Sequence, residues 1–126
     1  MSTKPVYINL FKIKLPLPAF LSITHRVSGM LIFFMVLPVS GYILNILFES
    51  QSSFLLFIDT FNSSIFLRTF VLFNILIFEY HVITGLRHML IDFHLISETL
   101  AASNTSAVVA LIIFFLNAVL TVWVFL

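Results

Sequence analysis

The chain has 126 residues, and 61% of them are hydrophobic against 9% charged, which excludes an ordinary water-soluble globule. The formal net charge is only +1, and no nucleic-acid partner is expected. There is no cysteine, so disulfides, thiolate catalysis and iron–sulfur ligation by this chain are excluded.

Residues 1–19 form a basic leader with Lys4, Lys12, Lys14 and the prolines Pro5, Pro16 and Pro18. It is not rich in Arg and Ser as a transit peptide would be, and no small-residue cleavage site follows the apolar segment, so the first helix is expected to be retained. Lysines mixed with apolar residues over 10–17 suit the headgroup region. Three apolar segments follow, at about residues 22–48, 65–90 and 107–126. Each reaches the roughly 20 residues that cross a bilayer core about 30 Å thick. Lipid offers the backbone no hydrogen-bond partners, so all three should be helices. The fold class is therefore an all-α membrane protein, one membrane-anchor domain over 1–126.

The first span is expected to start just after Pro18, and Pro38 should bend it. Residues 49–64, with Ser50-Gln-Ser-Ser53 and Asn62-Ser-Ser64, read as an exposed connection. The second span carries Glu79, whose charge would be costly at that depth unless paired, facing another subunit or neutralised by a proton. In the third span only Asn117, Thr121 and Trp123 are polar-capable. It reads as a packing helix, with Trp123 as an interfacial anchor. The lysines of the leader and Arg26 place the N-terminus on the cytoplasmic or matrix side by the positive-inside rule.

Two polar constellations break the apolar pattern. The first is His81-Val-Ile-Thr-Gly85-Leu-Arg87-His88-Met-Leu-Ile-Asp92. Seven residues turn a helix almost twice, so His81 and His88 share a face with Gly85 between them. A membrane histidine is most often hydrogen-bonded to a neighbouring helix. It is also a good axial ligand for haem iron. Gly85 leaves space for a flat macrocycle, and Arg87 and His88 lie roughly 10 Å further along, the reach from a porphyrin centre to its carboxylates. Of His25, His81, His88 and His94, only His81 lies at ligand depth by sequence position. A second axial ligand should then come from another membrane subunit.

The second constellation is Ser22-Ile23-Thr24-His25-Arg26-Val-Ser28-Gly29, with Ser22, His25 and Arg26 on one helical face. It reads either as an interfacial anchor with Arg26 reaching the headgroups, or as a polar pocket that offers a hydroxyl and a guanidinium to a carbonyl or carboxylate.

Together the two segments resemble the cytochrome b, or large membrane-anchor, subunit of succinate dehydrogenase (succinate:quinone oxidoreductase). That family carries Ser-x-x-His-Arg-x-Ser/Thr-Gly at the start of its first span and His-x-x-x-Gly-x-Arg-His-x-x-x-Asp in its second. Length, three-span layout and the leader's Lys4-Pro5 also agree. The resemblance implies that His81 is the axial ligand of a single b-type haem. It implies a small membrane-anchor subunit that supplies the second ligand, and it places His25, Arg26 and His88 near the haem propionates. It implies a ubiquinone site at Ser22, Ile23 and Arg26 beside an iron–sulfur subunit, with a flavoprotein subunit beyond. Asp92 matches a structural position, and Thr24 stands where the family more often has an apolar residue. Glu79 is unexplained by it. The expected location is a bacterial inner membrane, or the mitochondrial inner membrane for an organelle-encoded chain. The alternatives are a cofactor-free anchor or assembly protein, a fumarate reductase anchor, and a proton pathway through Glu79, His81 and His88.

Overall fold

The computed structural model describes residues 15–125. Lys4, Lys12, Lys14 and Pro5 of the leader lie outside them, as does most of the segment assigned to the headgroups. Helix α1 (Leu17–Leu31), a π turn (Ile32–Val36) and helix α2 (Leu37–Glu49) make one continuous span. It begins at Leu17, slightly earlier than expected. Pro16 sits extended at the cap, and Pro18 falls in the first turn, where its missing N–H has no helical partner to lose.

The irregularity expected from Pro38 is the π turn just before it. Pro38 has no N–H, and its ring crowds the carbonyl four residues back, that of Phe34. The helix widens there, and the Leu37 N–H bonds the Ile32 carbonyl five residues back.

The largest departure from expectation lies at residues 49–64. They are an exposed connection, as expected, but a helical one, α3 (Gln51–Ser63). The serines that read as loop are caps. Ser50 Oγ accepts from the Ser53 N–H at 3.1 Å, and Ser64 Oγ accepts from the Leu67 N–H at 3.3 Å. Between them, Phe57 stacks on Phe61, and Phe61 meets Phe125 edge-on.

Helix α4 (Ile65–Asp92) closes with His94 at φ 58°. The His94 N–H bonds Ile91 O at 2.8 Å and the Leu95 N–H bonds Leu90 O at 3.0 Å, a Schellman ending. Asp92 thus finishes the helix, and His94 lies in the following turn. Helix α5 (Leu100–Phe125) begins well before Ala107, where the apolar run starts. Thr99 Oγ1 accepts from the Ala102 N–H at 3.3 Å and starts it.

Three helices, Leu17–Glu49, Ile65–Asp92 and Leu100–Phe125, are long and apolar enough to cross a membrane. Helix α4 is central and touches α1, α3 and α5. Leu21 of α1 is fully buried against Ala107 and Ala110 of α5, whose small side chains let the two helices close. Most large apolar side chains, Phe34, Phe48 and Trp123 among them, face outward. Without water there is no penalty for that, and the surface suits lipid or other membrane helices.

Candidate functional site

The two polar constellations meet where α1 crosses α4. The helices run antiparallel there: as α1 passes from His25 to Ser28, its partners pass from Thr84 back to His81. The imidazoles of His25 and His81 stack with centroids 4.1 Å apart and planes within 11°. His88 tilts against His25 at 5.1 Å. Each helix repeats one device, a histidine followed four residues later by a glycine. A Cβ on Gly29 would stand 3.2 Å from His81 Cε1, and one on Gly85 would stand 3.1 Å from His25 Cε1. Each glycine therefore admits the other helix's histidine.

This corrects two expectations. Gly85 makes room for His25, not directly for a flat ligand. His25 also does not lie a layer outside His81, because Thr84 and Gly85 hold it beside that ring.

The hydrogen bonds favour one tautomer for each ring. The Ser28 hydroxyl donates to His25 O at 2.7 Å, so its oxygen, 2.9 Å from His81 Nδ1, must accept from the Nδ1–H. The Thr84 hydroxyl donates to Tyr80 O at 2.7 Å, so at 2.9 Å it accepts from the His25 Nδ1–H. Neither Nε2 has a hydrogen-bond partner among the described residues. A backbone-anchored hydroxyl on Nδ1 is the kind of outer support that orients a metal-binding histidine.

Beside the pair runs an open groove of about 410 Å³, lined by His25, His81, Gly85, His88 and Asp92 with apolar walls from Val82, Leu86 and Met89. Among the described residues, no three His, Asp or Glu groups are set to hold a metal ion by themselves. With the rings stacked at 4.1 Å there is no space for an iron between them, so His25 and His81 do not enclose one in this arrangement.

Arg87 departs from expectation. It does not join His88 at the groove. It is buried and reaches α5, where Nε donates to Ser106 Oγ at 3.1 Å and Nη2 donates to Ser103 O and Oγ at 3.0 and 3.1 Å. Arg26 is the guanidinium left on the histidine side. It is exposed on α1, and its charge acts on His88 together with those of Arg87 and Asp92. Ser22 is half-buried one turn before Arg26, and Ile23 is exposed, so this flank of α1 is an open surface.

The structure gives roles to several residues that the sequence left without one. Ser28 and Thr84 bond the Nδ1 atoms of His81 and His25. Thr24, the departure from the family pattern, donates its hydroxyl to Phe20 O at 2.9 Å and accepts from the Tyr80 hydroxyl across the helix pair. Asn74 prolongs the polar face of α4, with Nδ2 on Phe70 O at 2.8 Å and Oδ1 without a partner among the described residues. Glu79 turns to the other side of α4, where Thr121 donates to its Oε1 at 2.5 Å.

The fold and site define an all-helical, multi-pass membrane protein with a histidine pair held between its first two spans. A family model described as the succinate dehydrogenase/fumarate reductase transmembrane subunit matches residues 1–122. The chain belongs to that family, and so serves as a membrane subunit of a multi-subunit oxidoreductase.

Proposed function

We propose that this chain is the haem b- and ubiquinone-binding anchor of a succinate dehydrogenase, set in a bacterial inner membrane with its N-terminus on the cytoplasmic side. Electrons from succinate pass through a flavoprotein and an iron–sulfur subunit to ubiquinone bound beside this chain. The observation that carries the reading is the locked histidine pair. An imidazole whose Nδ1–H is spent on an anchored hydroxyl, with Nε2 free beside an open groove, is prepared to ligate iron. When bound, haem supplies a one-electron carrier. His81 would hold it, and Ser28 orients His81. His25, His88 and the exposed Arg26 supply donors and positive charge for its carboxylates. A small membrane subunit would bring the second ligand, because the His25 ring is taken up in its stack on His81.

At the quinone site, Ser22 and Arg26 lie at i and i+4 and can both donate to one carbonyl oxygen. Negative charge grows on that oxygen as the quinone is reduced, so both bonds strengthen along the reaction. Ile23 offers an apolar wall beside them. Quinone reduction by Ser22→Ala and Arg26→Leu complexes should fall by roughly tenfold or more. Succinate oxidation with a soluble dye should continue. Normal quinone kinetics in both variants would remove the site from this flank.

The test of the whole reading is a reduced-minus-oxidised spectrum of the purified complex. A b-type band supports it, and absence of the band leaves a cofactor-free anchor. Ser28→Ala should keep the fold but weaken haem retention by roughly 10–100-fold, the range for loss of an outer-shell partner, measured by haem loss during dilution. Fumarate reduction uses the same groups in reverse, and the family's description includes it.

A further inference from the structure

Among the described residues, three side-chain hydrogen bonds tie α1 to α4 at their crossing, and two of them use the imidazoles. Ser28 holds His81 and Thr84 holds His25. The third joins Thr24 Oγ1 to the Tyr80 hydroxyl. The Thr24 hydroxyl donates to Phe20 O at 2.9 Å, so towards α4 its oxygen accepts and Tyr80 donates. Tyr80 is held on three sides. Its ring meets Phe114 of α5 edge-on at 5.2 Å, its hydroxyl reaches α1, and its carbonyl accepts from Thr84 Oγ1, the atom that holds His25. Thr24 and Tyr80 each directly precede one of the two stacked histidines.

Ser28 lies on α1, whereas the ring it orients lies on α4. The direction of His81 Nε2 therefore depends on where α1 sits against α4. Membrane helices gain no hydrophobic energy from one register over another, so packing and interhelical hydrogen bonds must supply it. The imidazoles define it poorly, because each ring can turn about its Cβ–Cγ bond and follow a shifted partner. Tyr80 has no such freedom while Phe114 packs against its ring. We propose that Thr24 and Tyr80 are positioning residues for the iron ligand: their hydrogen bond holds α1 at the register from which Ser28 orients His81. This role rests on His81 being the axial haem ligand. Neither residue lines the groove beside the histidines, so both act through the helix crossing.

The test uses the purified complex. Tyr80→Phe keeps the ring on Phe114, and Thr24→Val keeps the branched shape; each deletes one end of the bond. Low-temperature electron paramagnetic resonance of the oxidised haem reports the orientation of its axial rings. Both variants should move the lowest-field g value in the same direction, and haem loss on dilution should quicken by roughly two- to tenfold. Thr24→Ser restores the hydroxyl and should return both readouts to native values. The double variant should move no further than either single one, because both delete the same bond. A native signal in both single variants overturns the inference. A Thr24→Ser complex that behaves like Thr24→Val, or single shifts that add in the double variant, also overturns it, since either outcome assigns the effect to packing. If the native complex shows no b-type band, the histidine reading fails and the positioning role with it. If the band is present and the variants leave its signal unmoved, only the role of Thr24 and Tyr80 fails.

Discussion

The His81→Ala complex is expected to lose its b-type absorbance, with haem occupancy at least about tenfold below that of the native complex. The small side chain removes the Nε2 lone pair and leaves no substitute. The neighbouring His25 ring is held through its Nδ1 by Thr84 and stacked 4.1 Å away between centroids, and it cannot swing into the vacated position without giving up that bond. The cavity left behind lies against Gly29 and does not touch Leu21, Ala107 and Ala110. The chain should therefore still insert and assemble, which separates ligand loss from misfolding. The measurement is a reduced-minus-oxidised difference spectrum normalised to subunit content. An unchanged spectrum would assign the ligand elsewhere.

The second large effect concerns stability. Arg87→Met keeps the length and apolar stem of the side chain but deletes three hydrogen bonds to Ser103 and Ser106. Hydrogen bonds to a buried charge contribute about 1.5–3 kcal/mol each when a partner is lost, though not additively. A loss of about 3 kcal/mol is expected. It should show as a lower midpoint of thermal unfolding in detergent and as easier proteolysis near residues 93–99, which join α4 to α5. Arg26→Leu, at an exposed position, should leave that midpoint nearly unchanged while it impairs quinone reduction. If Arg87→Met unfolds like the native chain, the clamp between α4 and α5 is not what holds them together.

The contrast between the two arginines shows how far sequence reaches. Arg87 and His88 are adjacent in sequence, and both read as groups for a bound carboxylate. On a helix, neighbours point about 100° apart, so His88 stays on the His81 face while Arg87 turns away from it. What Arg87 meets there depends on where α5 lies, and α5 takes it. The serines that receive it, Ser103 and Ser106, precede the apolar run and read as outside the span. The same holds for α3, whose serines are turn formers by composition and caps in the structure. The paired His-x-x-x-Gly of α1 and α4 was present in the sequence as two motifs. That each glycine serves the other helix's histidine appears only when the helices cross.

The sequence by itself determined the class of this protein. Three apolar runs of sufficient length must be helices in lipid, because no other open structure satisfies the backbone there. Motif spacing also determined that His81, Gly85 and His88 share one face. Tertiary structure decided everything that depends on which faces meet. It placed His25 beside His81, sent Arg87 to α5, and gave Glu79 one hydrogen-bond partner, Thr121, among the described residues. The physical reason is that helical periodicity fixes a side chain's angle about its own axis, whereas its partner is fixed by the packing of a second helix whose angle is independent of the first.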